Sequence, residues 1–186
     1  MHKTVKSKNG HKKFTVYENG IHMGDKFYTR RGLRLDEHPE KIYVFDLDGT
    51  IADMEHRVKF IKKPYETGKK DYKRFFEECM YDKPIEWIID LMRMLERDNI
   101  YILSGRNGST MHETILWLEE NSVPYNRLYM RYRTNYEKDE ILKKRMIENG
   151  IADRIEWIVD DRQRVVDMWR NNGFNVLQCK QWKEKE

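Results

Sequence analysis

The sequence predicts an α/β fold built on a doubly wound, mostly parallel sheet with helices on both faces. Three observations predict it. From residue 41 onward, short apolar runs alternate with segments of helical period. Helix ends are marked by Gly150 after Asn149 and Gly173 after Asn172. Polar and charged residues gather directly after the apolar runs, at the carboxyl ends of strands where parallel sheets build their sites.

Taken in order, residues 1–10 read as disordered. Residues 13–30 read as a hairpin, because Lys13-Phe14-Thr15-Val16-Tyr17 and Lys26-Phe27-Tyr28-Thr29-Arg30 are β-prone and Asn19-Gly20 between them is a turn signal. Residues 31–40 form a linker ending at His38-Pro39. The division is thus an arm over 1–40 and a domain over 41–186. Predicted strands are 42–46, 99–104, 127–131, 155–159 and 174–178. Predicted helices are 71–80, 85–97, 110–121, 138–149 and 163–172. Ile85, Ile88, Ile89, Met92 and Leu95 recur at helical spacing, with Pro84 suited to a first turn. Between the first strand and Pro84, a small helical insert spans about 54–83.

Composition narrows the class. With 186 residues the chain can bury a sizeable core. It is 37% charged, yet 12% aromatic content is too high for a disordered chain. No apolar run approaches the roughly 20 residues of a membrane span, and Met1-His2-Lys3-Thr4 opens no secretion signal. No membrane partner is expected, and the location expected is cytoplasmic. Cys79 and Cys179 stand in no metal-ligand spacing and read as free thiols. The net charge of +4 hides an asymmetry: residues 1–35 carry nine Lys/Arg against two Asp/Glu. Such an arm suits an anionic partner, with nucleic acid the commonest, or serves only as a solvated tail.

The strand ends carry the chemistry. Ile42-Tyr43-Val44-Phe45 runs into Asp46-Leu47-Asp48-Gly49-Thr50. Carboxylates two residues apart point to one side of a pleat, and their repulsion is relieved by a cation or a proton. The second strand ends at Ser104-Gly105-Arg106, the third at Arg131, the fourth at Asp160-Asp161-Arg162. Singly, these read equally well as helix caps, turns or surface charges. Together they place acids, a hydroxyl and arginines at one end of four strands.

These residues resemble the haloacid dehalogenase-like phosphatase superfamily, a Rossmann-type fold. Its first motif, Asp-x-Asp-Gly-Thr, matches Asp46 to Thr50; its second-motif Ser matches Ser104; its fourth-motif acidic pair matches Asp160 and Asp161. For the third-motif Lys, Lys138 and Lys143 compete. Within the superfamily the chain is similar to the phosphatase domains of bacteriophage polynucleotide kinase–3′-phosphatases. In that family an Arg follows the nucleophile by eleven positions, as Arg57 does. The second motif continues Ser-Gly-Arg, the third reads Asp-x-x-x-Lys, as Asp139 and Lys143 do, and the fourth continues as Asp160-Asp161-Arg162 with Val165-Val166-Asp167-Met168-Trp169-Arg170. The resemblance covers roughly residues 41–179. No Gly-x-x-x-x-Gly-Lys-Ser/Thr occurs, so no kinase half is expected. Thr134-Asn135 stands where the family often has Gly-Asp, and the tail differs from Gly-Asp-Phe.

The resemblance implies a Mg²⁺-dependent polynucleotide 3′-phosphatase of nucleic-acid end repair, of bacteriophage type and working in the host cytoplasm if phage-encoded. It implies Asp46 as nucleophile and Asp48 as general acid and base. Mg²⁺ would be held by Asp46, Asp48, Asp160 and Asp161, and phosphate by Thr50, Ser104, Gly105 and Lys143. Arg57, Arg106 and Arg131 would contact substrate, with Asp139 and Arg162 orienting; Asp139, four residues before Lys143, would orient that lysine or form a surface ion pair. Expected partners are nucleic acid with 3′-phosphate ends, DNA or RNA, and a separate kinase or ligase; the chain itself would be a monomer or small homo-oligomer. A phosphatase for mononucleotides or other small phosphomonoesters is the alternative, and a non-catalytic nucleic-acid-binding module a third. In the insert, Lys59, Lys62, Lys63, Lys69, Lys70, Lys73 and Arg74 interleave with Phe60, Tyr65, Tyr72, Phe75 and Phe76. That pattern suits a single strand, or a buried helix face with solvated lysines. Phe14, Tyr17, Phe27 and Tyr28 of the hairpin pose the same choice.

Overall fold

The structure, a computed structural model, describes residues 3–6, 13–16, 38–62, 70–148 and 150–180. Strands β1 (Lys3–Lys6) and β2 (Lys13–Val16) pair antiparallel, with Lys3 opposite Val16 and Lys6 opposite Lys13. Residues 3–6 were expected to be disordered; the β-branched residue types Thr4, Val5, Thr15 and Val16 favour the extended pairing found instead. The Asn19-Gly20 turn and the 26–30 strand lie outside the described residues, as do Lys63, Tyr65 and Lys69 of the insert.

The main sheet holds β3 (Ile42–Phe45), β6 (Ile100–Asn107), β7 (Arg127–Arg131), β8 (Ile155–Asp160) and β9 (Val176–Gln178). Their order is β7-β6-β3-β8-β9, and every pairing is parallel. The chain starts in the middle, winds outward through β6 and β7, then crosses to β8 and winds out the other way. The direction reverses between β3 and β8, which opens a crevice at their carboxyl ends.

Alternation along the strands supplies two faces. Phe45, Ile100, Ile102, Leu128, Met130 and Val159 pack on one side with helices α3 (Glu86–Arg93) and α4 (Met111–Glu120). Val44, Tyr101, Leu103, Tyr129 and Ile158 pack on the other with α5 (Asp139–Ile147) and α6 (Gln163–Asn171). From residue 41 onward the expected strands and helices are present; the helices are trimmed, while β6 runs on to Asn107 and β8 to Asp160. Pro84 is not in a first helical turn; it lies in β5 (Lys83–Pro84), antiparallel to β4 (Ala52–Asp53), where its missing N–H costs nothing at an edge.

This two-strand pair encloses the insert: α1 (Glu55–Val58), α2 (Tyr72–Glu77) and a 3₁₀ turn over Glu78–Tyr81. Asp71 caps α2, its side chain accepting from Arg74 N at 2.9 Å. Met54, Val58, Phe60 and Phe75 form a separate small core, with Phe76 packed against it. The packing explanation therefore holds for Phe60, Phe75 and Phe76.

Trp169 of α6 is fully buried and meets the Phe174 ring edge-on at 5.5 Å. Trp169→Ala is expected to destabilise the fold by about 3–5 kcal/mol, read as a lowered denaturation midpoint with an unchanged slope.

Candidate active site

The site grows from how β3 ends. Phe45 and Leu47 are both buried in one core face, so Asp46 and Asp48 fall on the opposite parity. The ladder continues one residue past β3, with Asp46 N donating to Val159 O at 2.9 Å. The chain then turns tightly: Ile51 N and Ala52 N both donate to Leu47 O at 2.9 Å. Gly49 adopts φ +94°, and a Cβ there would stand 2.2 Å from Asp161 Oδ2. Only glycine meets both conditions.

At the crevice Asp46, Asp160 and Asp161 are buried, with oxygens within 4.8 Å of one another. Lys143 enters from α5 and donates to Asp46 Oδ1 at 2.6 Å and Asp160 Oδ2 at 2.7 Å. Burial pushes the Asp46 carboxyl well above the usual range; Lys143 opposes this, while Asp160 and Asp161 add to it. Burial alone would lower the Lys143 ammonium, but Asp160 and Asp46 outweigh it and hold it charged. Three buried carboxylates with their oxygens close together form an oxygen-only donor set, which fits a hard divalent cation. Lys138 precedes α5 and is exposed. Of the two competing lysines, Lys143 is the one in the cluster.

Asp48 belongs to a second network. Arg106 Nη2 donates to Asp48 Oδ1 at 2.6 Å, and Arg57 Nη2 donates to the same oxygen. Arg57 Nε and Nη2 also reach Asp82 at 2.6 and 2.7 Å, and Arg106 Nη2 reaches Asp82 Oδ2 at 2.9 Å. Burial would raise the Asp48 carboxyl, but the Arg106 and Arg57 guanidiniums outweigh it and hold it far below the usual range. The two arginines differ from their expected role as substrate contacts. Arg57 is 0% exposed and its remaining nitrogen, Nη1, donates to Phe75 O at 3.2 Å. Arg106 spends Nη1 on Thr114 Oγ1 at 3.2 Å. Both position Asp48.

Arg131 is likewise turned inward, donating to Gly105 O at 2.8 Å and Glu137 O at 2.6 Å and pairing with Asp139. Asp139 also pairs with Arg162. It therefore orients two arginines, not Lys143 as expected. β6 bulges here, its register jumping from Ser104–Met130 to Asn107–Arg131, which takes Gly105 and Arg106 out of the ladder. A Cβ on Gly105 would stand 2.5 Å from Asp139 Oδ1, so this glycine admits the carboxylate. Ser104 Oγ accepts from Arg106 N at 3.0 Å, and Thr50 Oγ1 lies 3.5 Å from Asp161 Oδ1. Cys179 Sγ is 3.5 Å from Thr50 Oγ1; burial pushes that thiol up to about 11, so it stays protonated.

Asp82 is the residue the sequence reading missed. It sits just before Lys83-Pro84 and joins Arg57, Arg106 and His56, the last at 3.0 Å. The buried helix-face pattern Leu142, Lys143, Met146, Ile147, by contrast, is a sequence signal for Lys143: a lysine on an apolar face requires an anion.

A family described as the polynucleotide kinase PNKP phosphatase domain matches residues 40–183. Two solved structures share the fold. One, "Structure of the Pnkp1/Rnl/Hen1 RNA repair complex", superposes at TM-score 0.63 with 24% identity, covering 83% of this chain and 48% of that one. The other, "Structure of Pnkp1/Rnl/Hen1 complex", gives TM-score 0.62 at 24% identity, covering 81% and 52%. The chain thus spans about half the length of the solved chains it matches.

Asp82→Ala is expected to leave two buried guanidiniums short of a carboxylate and to cost about 3–5 kcal/mol of stability by chemical denaturation. Gly49→Ala is expected to destabilise as well, through both positive φ and the Asp161 contact, and a cost no larger than an ordinary surface change would contradict the geometry.

Proposed function

The chain belongs to the family of polynucleotide kinase phosphatase domains and is a phosphomonoester hydrolase, and from that premise we propose that it removes 3′-phosphates from nucleic-acid ends with the help of Mg²⁺. The observation that carries this reading is the Asp46–Lys143–Asp160–Asp161 cluster, set at the switch point beside an Asp48 fixed by two arginines.

Asp46 attacks phosphorus; the bond from phosphorus to the 3′ oxygen breaks and an aspartyl-phosphate forms. Asp48 gives a proton to the departing 3′ oxygen, then takes one from the water that frees Asp46. A phosphate dianion arriving beside Asp48 raises its proton affinity against the pull of Arg57 and Arg106. Lys143 keeps Asp46 in place and offers positive charge to the phosphoryl oxygens. Ser104 accepts one hydrogen bond and still has its own proton to donate, and Thr50 supplies a second hydroxyl. Asp139, with Arg131 and Arg162, braces the Gly105 turn from behind.

Mg²⁺ would be held by the Asp46 and Asp160 carboxylates and the Asp48 backbone carbonyl, with Asp161 in or beside that set. When bound it lessens repulsion between carboxylates and phosphate. The RNA repair complex named in one structure with the same fold favours RNA ends and action alongside other repair proteins.

The test is phosphate release from a 3′-phosphorylated RNA or DNA oligonucleotide and from the matching 3′-mononucleotide. Preference for the oligonucleotide, abolished by Asp46→Asn and by EDTA and restored by Mg²⁺, is the expected result. Equal cleavage of the mononucleotide would sink the polymer reading. Mg²⁺ is further expected to raise the melting temperature of the wild type and not of Asp160→Asn.

A further inference from the structure

Loop 132–138 joins the carboxyl end of β7 to α5. It is bracketed by Arg131 and Asp139, which pair with each other, and Asp139 pairs in turn with Arg162, next to Asp160 and Asp161. The loop is therefore on the rim of the crevice. It is also held rigid. Asn135 N donates to Tyr132 O at 2.8 Å, and Glu137 N donates to Asn135 Oδ1 at 2.8 Å. Arg131 Nη1 grips Glu137 O, and Asn107 Nδ2 donates to Arg133 O at 3.3 Å.

From this braced loop Tyr136 projects with 88% of its surface exposed. A tyrosine held so has no packing role. Arg133 and Lys138, on either side, are exposed as well. The one acid of the loop, Glu137, is matched by Arg145 at 2.6 Å, so the rim carries positive charge. Among the described residues of the insert, the half-exposed Tyr72 already stacks with the Phe76 ring at 6.5 Å. The insert's exposed Tyr81 lines a cleft with Asp71, Glu77 and Glu78, while Lys73 and Arg74 pair with Glu77 and Glu78.

We propose that Tyr136, flanked by Arg133 and Lys138, is a platform on which a base near the 3′ end of a single-stranded polynucleotide stacks while the two cations meet its phosphodiesters. An exposed aromatic plane between cations, on a braced backbone, suits sequence-tolerant single-strand binding. This rests on the proposed 3′-phosphatase reading and supplies its preference for a polymer over a monomer.

The experiment measures KM for 3′-phosphorylated oligonucleotides of increasing length and for the 3′-mononucleotide, with wild type, Tyr136→Ala and Tyr136→Phe. Tyr136→Ala is expected to raise KM for the longer substrates about tenfold, one lost base stack, and to flatten the dependence on length. Tyr136→Phe keeps the ring and is expected to keep both. Arg133→Gln and Lys138→Gln are each expected to lower the slope of log affinity against log salt by about 0.7 for a single-stranded oligonucleotide. If wild type shows no preference for oligonucleotides, the polymer reading fails and the platform with it. If wild type prefers them and Tyr136→Ala retains that preference, the platform alone is overturned.

Discussion

Mutual repulsion of carboxylates at one end of a parallel sheet is the constraint on which the rest of this structure depends. The topology forces it, because β3 and β8 are neighbours and each runs into aspartates. Two different solutions stand side by side. Asp48 and Asp82 face Arg57 and Arg106, two anions against two cations, and that network is closed. Asp46, Asp160 and Asp161 gather their oxygens around the Lys143 ammonium, with the Arg162 guanidinium nearby, and no fork pairs them off. A closed network fixes geometry, since removing one member strands a buried charge. An open one attracts a cation. The boundary between them passes through Leu47, whose side chain is anchored in the core while its flanking aspartates serve opposite solutions.

The insert takes part in the closed network. Arg57 lies on α1 with its guanidinium 4.4 Å from the centre of the Phe75 ring, and donates to the Phe75 carbonyl. Phe75 belongs to the small core of Met54, Val58 and Phe60. Apolar packing in the insert therefore sets where Arg57 sits, and Arg57 sets where Asp48 sits. Asp82 closes the loop from the other end of the insert, and its backbone carbonyl is fixed by Trp117 Nε1 at 2.8 Å. The charge run that suggests a binding surface in the sequence is in part consumed locally: Arg74 covers Phe60 at 4.4 Å and reaches Glu78.

What the sequence made legible follows from chain proximity and period. Strands that alternate and helices that repeat their apolar positions announce the sheet, its two faces and the strand ends that hold Asp46, Ser104 and Asp160. Period even marks Lys143, because Leu142, Met146 and Ile147 place it on a buried face. Partners chosen across the fold are not legible in this way. Asp82 is 25 residues from Arg57 and 24 from Arg106, and nothing in its neighbourhood distinguishes it from a turn aspartate. Asp139 stands at the spacing for Lys143 on a helix surface, yet the β6 bulge brings Gly105 and Arg131 closer, and the carboxylate goes to Arg131 and Arg162. Local spacing proposes a partner; burial and two guanidiniums, one on each carboxylate oxygen, decide it.

In the proposed reaction Asp48 serves two half-reactions. A fork from Arg106 and one nitrogen of Arg57 fix its carboxylate and favour the ionised form. That form suits taking a proton from water, and the fixed position suits acting beside Asp46. Delivering a proton to a leaving oxygen needs the opposite state. The arginines cannot supply that bias, since their own charge is permanent. The substrate can, because every negative charge it brings close to Asp48 works against the two guanidiniums. The closed network would then not be a static clamp but a balance set far to one side in the free protein. A phosphoryl group entering the open network next door would return it toward the middle.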